Sequence, residues 1–134
     1  MNASFLKAMG AALAVGLAWN GLIYMLLLSS RIEAAAPVLQ HPHLVPKIVG
    51  EVIIAIVFAH MWFKGLDPGS LLPQGLRFGF WAGLLYYVAG MAQTAALVNI
   101  DATFAVMVAA LGLLKFITMG GAVAVATGVN PRGM

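Results

Sequence analysis

The chain has 134 residues, of which 63% are hydrophobic and only 8% are charged, and its net charge is +3. Soluble proteins carry charge on about 25% of their residues, so this composition excludes an ordinary water-exposed surface and predicts lipid as the solvent. The length allows one domain. The absence of cysteine excludes disulfides, thiolate nucleophiles and cysteine-based metal sites. The basic residues are few and scattered, which argues against a nucleic-acid partner.

Four long apolar segments predict four transmembrane helices within a single integral membrane domain, residues 1–134. The spans cover about residues 5–28, 46–63, 76–98 and 103–127. Helices are expected because every backbone polar group at bilayer depth must be paired inside its own segment. All six prolines lie in connections or at span starts: Pro37, Pro42, Pro46, Pro68, Pro73 and Pro131. The predicted fold class is therefore all-α, a four-transmembrane-helix bundle.

The first segment has an alternative interpretation as a cleaved signal peptide, with Lys7 before it and the small residues 34–36 after it. A signal peptide carries an apolar stretch of about 7–15 residues. The uncharged stretch here runs over residues 8–30, and this greater length favours a retained span.

The basic residues predict the direction of the spans. With four spans, both termini and the second loop share one side of the membrane. That side carries Lys7, Lys64, Arg77 and Arg132, and the other side carries Arg31 and Lys47. Loops rich in Lys and Arg stay in the cytoplasm. Four basic residues on the side of the termini, against two on the other side, therefore predict cytoplasmic termini. His60 and Trp62 are expected at the cytoplasmic membrane interface.

Small residues form a stripe along the third span. Gly75, Gly79 and Gly83 make two overlapping GxxxG steps, and Gly90 continues the same face. Such stripes let helix backbones approach closely in lipid. The sequence leaves two interpretations open: a tight contact within the chain, or a helix-association face for another copy or a different subunit.

Lys115 lies near the middle of the fourth span, where inserting a lysine costs about 2.5–3.5 kcal/mol. At about 1.5 Å per residue, Lys115 lies about 18 Å from the outer boundary, Asn20 about 12 Å, and Glu51 and Gln93 about 8 Å. Asn20 and Gln93 are therefore the nearest predicted partners, and an ion pair with Glu51 requires a nearly extended lysine and helix tilt.

A polar cluster is the predicted candidate ligand site of the bundle. Its members are Asn20, Glu51, Gln93, Thr94, Lys115 and Thr118. The alternative is that these residues only hydrogen-bond one helix to another, with Glu51 as a solvated carboxylate at the interface. For Lys115, a structural ion pair and a ligand or proton site remain equally open.

No grouping of residues predicts catalysis, and neither a catalytic residue nor a cofactor is assigned. His41 and His43 have the only metal-like spacing, but further ligands are missing, so solvated loop histidines are the favoured interpretation and no metal is predicted. A haem with two axial histidines is excluded because only His60 lies within a span. An enzyme is therefore disfavoured.

The entry to the third span, Gly75-Leu76-Arg77-Phe78-Gly79 followed by Gly83-Leu84-Leu85, resembles a broad group of small four-span bacterial inner-membrane proteins with no settled activity. The resemblance covers the four-span layout and implies a multi-pass protein of the bacterial inner membrane. This chain departs from the group by carrying Lys115 where the group is expected to have an acid, so no residue role is carried over.

Two functions follow from these observations. The first is a non-enzymatic accessory or assembly subunit, acting as a homo-oligomer or within a membrane complex through the glycine face of the third span. The alternative is a small oligomeric transporter or permease-like unit that handles an anion, a proton or a small polar solute at Lys115 and Glu51. A water-accessible cavity at Lys115 would favour transport, and a dry, fully paired lysine would favour a structural role.

Overall fold

The computed structural model describes residues 3–23, 44–64, 70–97 and 101–128, and of residues 44–47 and 95–97 it describes the backbone. These residues form helices α1 (Ala3–Leu22), α2 (Leu44–Lys64), α3 (Leu71–Gly83), α4 (Ala89–Leu97) and α5 (Ala102–Thr127). A π-helical turn, Leu84–Val88, joins α3 to α4 without a break. The described residues contain no strand, and the predicted all-α class is confirmed for them.

Local sequence explains where the helices begin and end. The side chain of Asp101 accepts a hydrogen bond of 3.0 Å from the Phe104 amide and so caps the start of α5. Gly128 ends α5 in the left-handed conformation, with φ 56°, which glycine adopts without steric cost. Pro73 lies in the first turn of α3, where a missing backbone N–H leaves no helical hydrogen bond unmade.

Helix α5 is the centre of the packing. It contacts α3 most extensively, then α1, and α1 in turn packs against α2. The buried apolar core comes from α1, α2 and α5 and consists of Ala8, Ala12, Ala55, Phe58, Ala59, Trp62, Phe116, Met119, Val123 and Ala124. The ring of Phe58 in α2 contacts both α3 and α5. It makes edge-to-face contacts with Phe78 of α3 and Phe116 of α5, with ring centroids 4.8 Å and 5.6 Å apart, respectively.

A glycine seam, defined by Gly75, Gly79 and Gly83 of α3, presses directly onto α5. A Cβ atom at Gly75 or Gly79 would collide with the backbone oxygen of Gly120 or Phe116, respectively. A Cβ at Gly83 would lie 2.9 Å from the Cβ of Phe116. Because the obstacles at Gly75 and Gly79 are backbone atoms, a larger residue there would push the helices apart. The close-packing stripe is therefore used inside the chain.

The π-helical turn breaks this stripe. One extra residue in a helical turn rotates everything beyond it by about 100°. After the turn, the ring of Tyr87 covers Gly112 of α5, whereas the space around Gly90 is open, since a Cβ atom added there would have no neighbour within 4 Å. Gly90 thus lies off the glycine seam, contrary to the expectation from its spacing.

Two of the described helices, Ala3–Leu22 and Ala102–Thr127, are long and apolar enough to cross a membrane, judged by length and composition. Apolar side chains also cover the outside of the molecule. Among the most exposed are Ile53, Leu85, Val106 and Val125. An apolar exterior of this kind marks a surface that contacts lipid or protein rather than water.

Candidate functional site

Three polar side chains from three different helices meet in the interior. The ammonium group of Lys115 in α5 donates a hydrogen bond of 2.6 Å to Glu51 Oε1 in α2, and another of 3.1 Å to Asn20 Oδ1 in α1. The amide nitrogen of Asn20 donates a third bond, of 2.6 Å, to the same Glu51 oxygen. We call these residues the Asn20–Glu51–Lys115 cluster. It connects three helices by hydrogen bonds around one ion pair.

The cluster is withdrawn from the molecular surface. Lys115 is 0% exposed and Glu51 is 6% exposed, while Asn20 is half-buried. The aromatic ring of Tyr87 lies 6.0 Å from the Lys115 nitrogen, at the outer range of a cation–π contact. A charge pair this far from solvent is not screened, and removing either partner alone would leave an uncompensated buried charge.

The two oxygens of Glu51 have different surroundings. Oε1 accepts hydrogen bonds from both Lys115 and Asn20. Oε2 is buried but has no hydrogen-bond partner among the described residues. A buried polar atom without a partner is costly and therefore uncommon. The unsatisfied Oε2 is the feature of this site that ordinary packing does not explain.

Gly16 provides the space for this carboxylate oxygen. A Cβ atom at Gly16 would lie 2.5 Å from Glu51 Oε2 and 3.3 Å from the Cε of Met119. Any side chain at this position would therefore displace the carboxylate. Sequence reasoning did not assign Gly16 to the site, although its place one helical turn before Asn20, on the same face, was a usable signal.

The structure brings together three of the six residues predicted for the cluster and leaves three outside. Gln93, Thr94 and Thr118 are exposed. The Thr94 hydroxyl donates to the carbonyl of Gly90, and the Thr118 hydroxyl donates to the carbonyls of Leu114 and Lys115. Both threonines thus satisfy their own helices, as threonine commonly does in a helix interior. Gln93 follows the π-helical turn, which rotates α4 away from the stripe that its spacing predicted.

The direct ion pair shows that the reach of lysine was underestimated. Spacing along the helices indicated Asn20 and Gln93 as nearer partners than Glu51. In the structure Lys115 contacts Asn20 and Glu51 together.

His60 and Trp62, the two residues predicted for the membrane interface, differ in their exposure. His60 is exposed, and it lies outside the polar cluster. Trp62 is only 1% exposed and packs edge-on against Phe78 at 5.8 Å between ring centroids, so it belongs to the core rather than to an outward-facing belt. Its indole nitrogen has no hydrogen-bond partner among the described residues.

The predicted weak metal candidates, His41 and His43, lie outside the described residues. Within the described ranges, no group of three or more acidic or histidine side chains is placed to hold a metal ion. The chain matches no family model, no curated protein and no solved structure. The resemblance to four-span inner-membrane proteins therefore stays a prediction.

The cluster makes a prediction about folding stability. Lys115→Met leaves the Glu51 carboxylate buried without its counter-ion and should lower the free energy of unfolding by about 3–5 kcal/mol. Adding Glu51→Leu removes the stranded charge, so the double variant should be more stable than Lys115→Met alone. Chemical unfolding of purified protein, followed by circular dichroism, measures both values.

Lys64→Met is the matched control, because this lysine at the end of α2 is exposed and its loss should change stability by less than about 0.5 kcal/mol. Strictly additive effects of the Lys115 and Glu51 substitutions would mean that the two groups do not interact.

Proposed function

We propose that the chain is a multi-pass protein of the bacterial inner membrane, folded as a four-span helical bundle with both termini in the cytoplasm. The spans are α1, α2, the continuous stretch from α3 to α4, and α5. The apolar exterior supports this proposal, as do the two helices with the length and composition of a span. The orientation rests on the excess of Lys and Arg on the side of the termini and the second loop.

Within this setting we propose a small transporter or permease-like unit that uses the Asn20–Glu51–Lys115 cluster to handle a proton, an anion or a small polar solute. Ionisable side chains at membrane depth are rare and, where they occur, commonly mark a route for ions or solutes. The observation that favours such a role is Glu51 Oε2, a buried carboxylate oxygen that no described residue engages.

A purely structural ion pair accounts for only part of this geometry. The full burial of Lys115 and its two acceptors meet the criterion of a dry, paired lysine, and they favour a structural clamp between helices. A clamp, however, gains nothing from an unsatisfied acceptor next to the pair, since such an atom lowers stability. A site that exchanges its bonding partners needs a free acceptor of this kind. No catalytic residue and no cofactor form part of the proposal.

Transport predicts flux that depends on Lys115. Proteoliposomes containing the wild-type chain should pass at least one of three probes: protons, read by a trapped pH-sensitive dye, chloride, or inorganic phosphate. Lys115→Met should reduce that flux to the level of protein-free vesicles, because the cluster loses its only cation. Lys64→Met, with an exposed lysine, should keep it. Circular dichroism checks that each variant retains its helices. Unchanged flux in Lys115→Met would refute the role of the cluster.

The second candidate function is that of a non-enzymatic accessory or assembly subunit. The glycine seam contacts α5 of the same chain, so association through Gly75, Gly79 and Gly83 is no longer favoured. Helix α4 offers a different surface, where Gln93 is exposed and the space around Gly90 is open. A side-chain amide facing lipid gains a hydrogen bond by meeting another helix.

Association through α4 predicts that Gln93→Leu shifts the protein to a smaller species in mild detergent, because the interhelical amide contact is lost. Sedimentation velocity measures the change. Thr94→Val is the matched control, since the Thr94 hydroxyl is already bonded to its own helix. The candidate would be discarded if wild type and Gln93→Leu sediment as the same species.

A further inference from the structure

We infer that the ion transported through the Asn20–Glu51–Lys115 cluster is a proton, and that Glu51 Oε2 is the atom that binds it. This inference rests on the proposed function and narrows it to one chemical class. Its basis is the shape of the site around the two carboxylate oxygens, rather than the presence of charged residues alone.

The space around the carboxylate excludes a solute. Oε2 lies so close to Gly16 that even a methyl group there would approach it to 2.5 Å, and Met119 crowds the same point from α5. Lys115 is fully buried. A molecule the size of an amine or a sugar would have to displace these side chains, whereas a proton forms a bond to the oxygen and occupies no additional volume.

The lysine is poorly placed to receive an anion. Two of the three N–H groups of an ammonium are already directed at Glu51 Oε1 and Asn20 Oδ1. An anion arriving at Lys115 would also meet the Glu51 carboxylate 2.6 Å away, which repels it. The cluster as a whole is neutral, since one positive and one negative group cancel, and it therefore lacks the excess positive charge of an anion site.

The two oxygens of Glu51 differ in their hydrogen bonds, and this difference favours Oε2 as the oxygen that binds the proton. Oε1 is engaged by two donors, and a proton there would have to compete with both. Oε2 has no donor among the described residues, so none of them competes with a proton there. A proton from water on one side forms an O–H bond at Oε2, and release to water on the other side breaks that same bond. The charge of the cluster changes from zero to +1 and back, and Lys115 keeps both acceptors, Glu51 Oε1 and Asn20 Oδ1, while Glu51 is neutral.

Three groups face Glu51 and would respond to this change. Lys115 from α5 supplies the positive charge and loses part of its attraction when Glu51 becomes neutral. Asn20 from α1 does not titrate and can keep its bond to Oε1 in both states. The ring of Tyr87, in the π-helical turn, lies 6.0 Å from the lysine nitrogen. Asn20 is the half-buried member of the cluster.

The test combines flux with infrared spectroscopy on the full chain in lipid vesicles. Protons should cross the membrane of vesicles that contain the wild-type chain. In the infrared spectrum, acidification should reversibly produce the carbonyl band of a protonated carboxylic acid, and this band should shift when H₂O is replaced by D₂O. Glu51→Gln keeps an oxygen for Lys115 and Asn20, yet it should lose the flux and the Glu51 part of the band, which is the difference between the wild-type and variant spectra. Asp101→Asn, which changes an exposed helix-capping acid to another good cap, should keep both.

A second pair of variants tests the position of the proton. Gly16→Ala adds a methyl group beside Oε2 and should lower proton flux, whereas Gly21→Ala, where the space is open, should not. Flux of chloride or phosphate that needs Lys115, without proton flux or the carboxylic-acid band, would overturn this inference and leave the proposed function standing. Absence of flux for all three probes would overturn both.

Discussion

The ammonium group of Lys115 requires compensation wherever it lies in an apolar interior, and the arrangement of the bundle follows from that requirement. Its two acceptors come from different helices, so α1, α2 and α5 must approach within hydrogen-bond distance of one point. The same demand places Gly16 on α1, because only a residue without a side chain leaves room for the Glu51 carboxylate. Apolar packing alone would not specify this register, since it is not directional.

The glycine seam holds α3 against α5 by close backbone packing rather than by a charged contact. Where backbones touch, many weak dispersion contacts accumulate over the length of the interface. The seam ends at the π-helical turn, and from there Tyr87 of the turn covers Gly112 of α5. The bundle thus has two kinds of helix contact: one specified by polar bonds and one by the absence of side chains.

Much of the fold was predictable from the sequence, and the exceptions have identifiable causes. Long apolar segments, proline placement and the GxxxG steps predicted the helices and the close packing of Gly75, Gly79 and Gly83. The π-helical turn has no signature in the local sequence, so Gly90 and Gln93 were assigned to the wrong face. Trp62 packs against Phe78 of α3. It lies on the same face of α2 as Glu51, so helical spacing favours its burial, and only its position near the end of the span suggested the interface. In the candidate site, Asn20, Glu51 and Lys115 were predicted from depth and helical face, whereas the unequal bonding of the carboxylate oxygens depends on side-chain geometry.

The most direct test of the buried ion pair is solid-state NMR of the ¹³C,¹⁵N-labelled chain in lipid bilayers, with Lys115→Met used to assign the lysine signal. The ion pair predicts a strong dipolar contact between Lys115 Nζ and the carboxyl carbon of Glu51, as required by the 2.6 Å bond to Oε1. A Lys115 ammonium without this contact to Glu51 would contradict it.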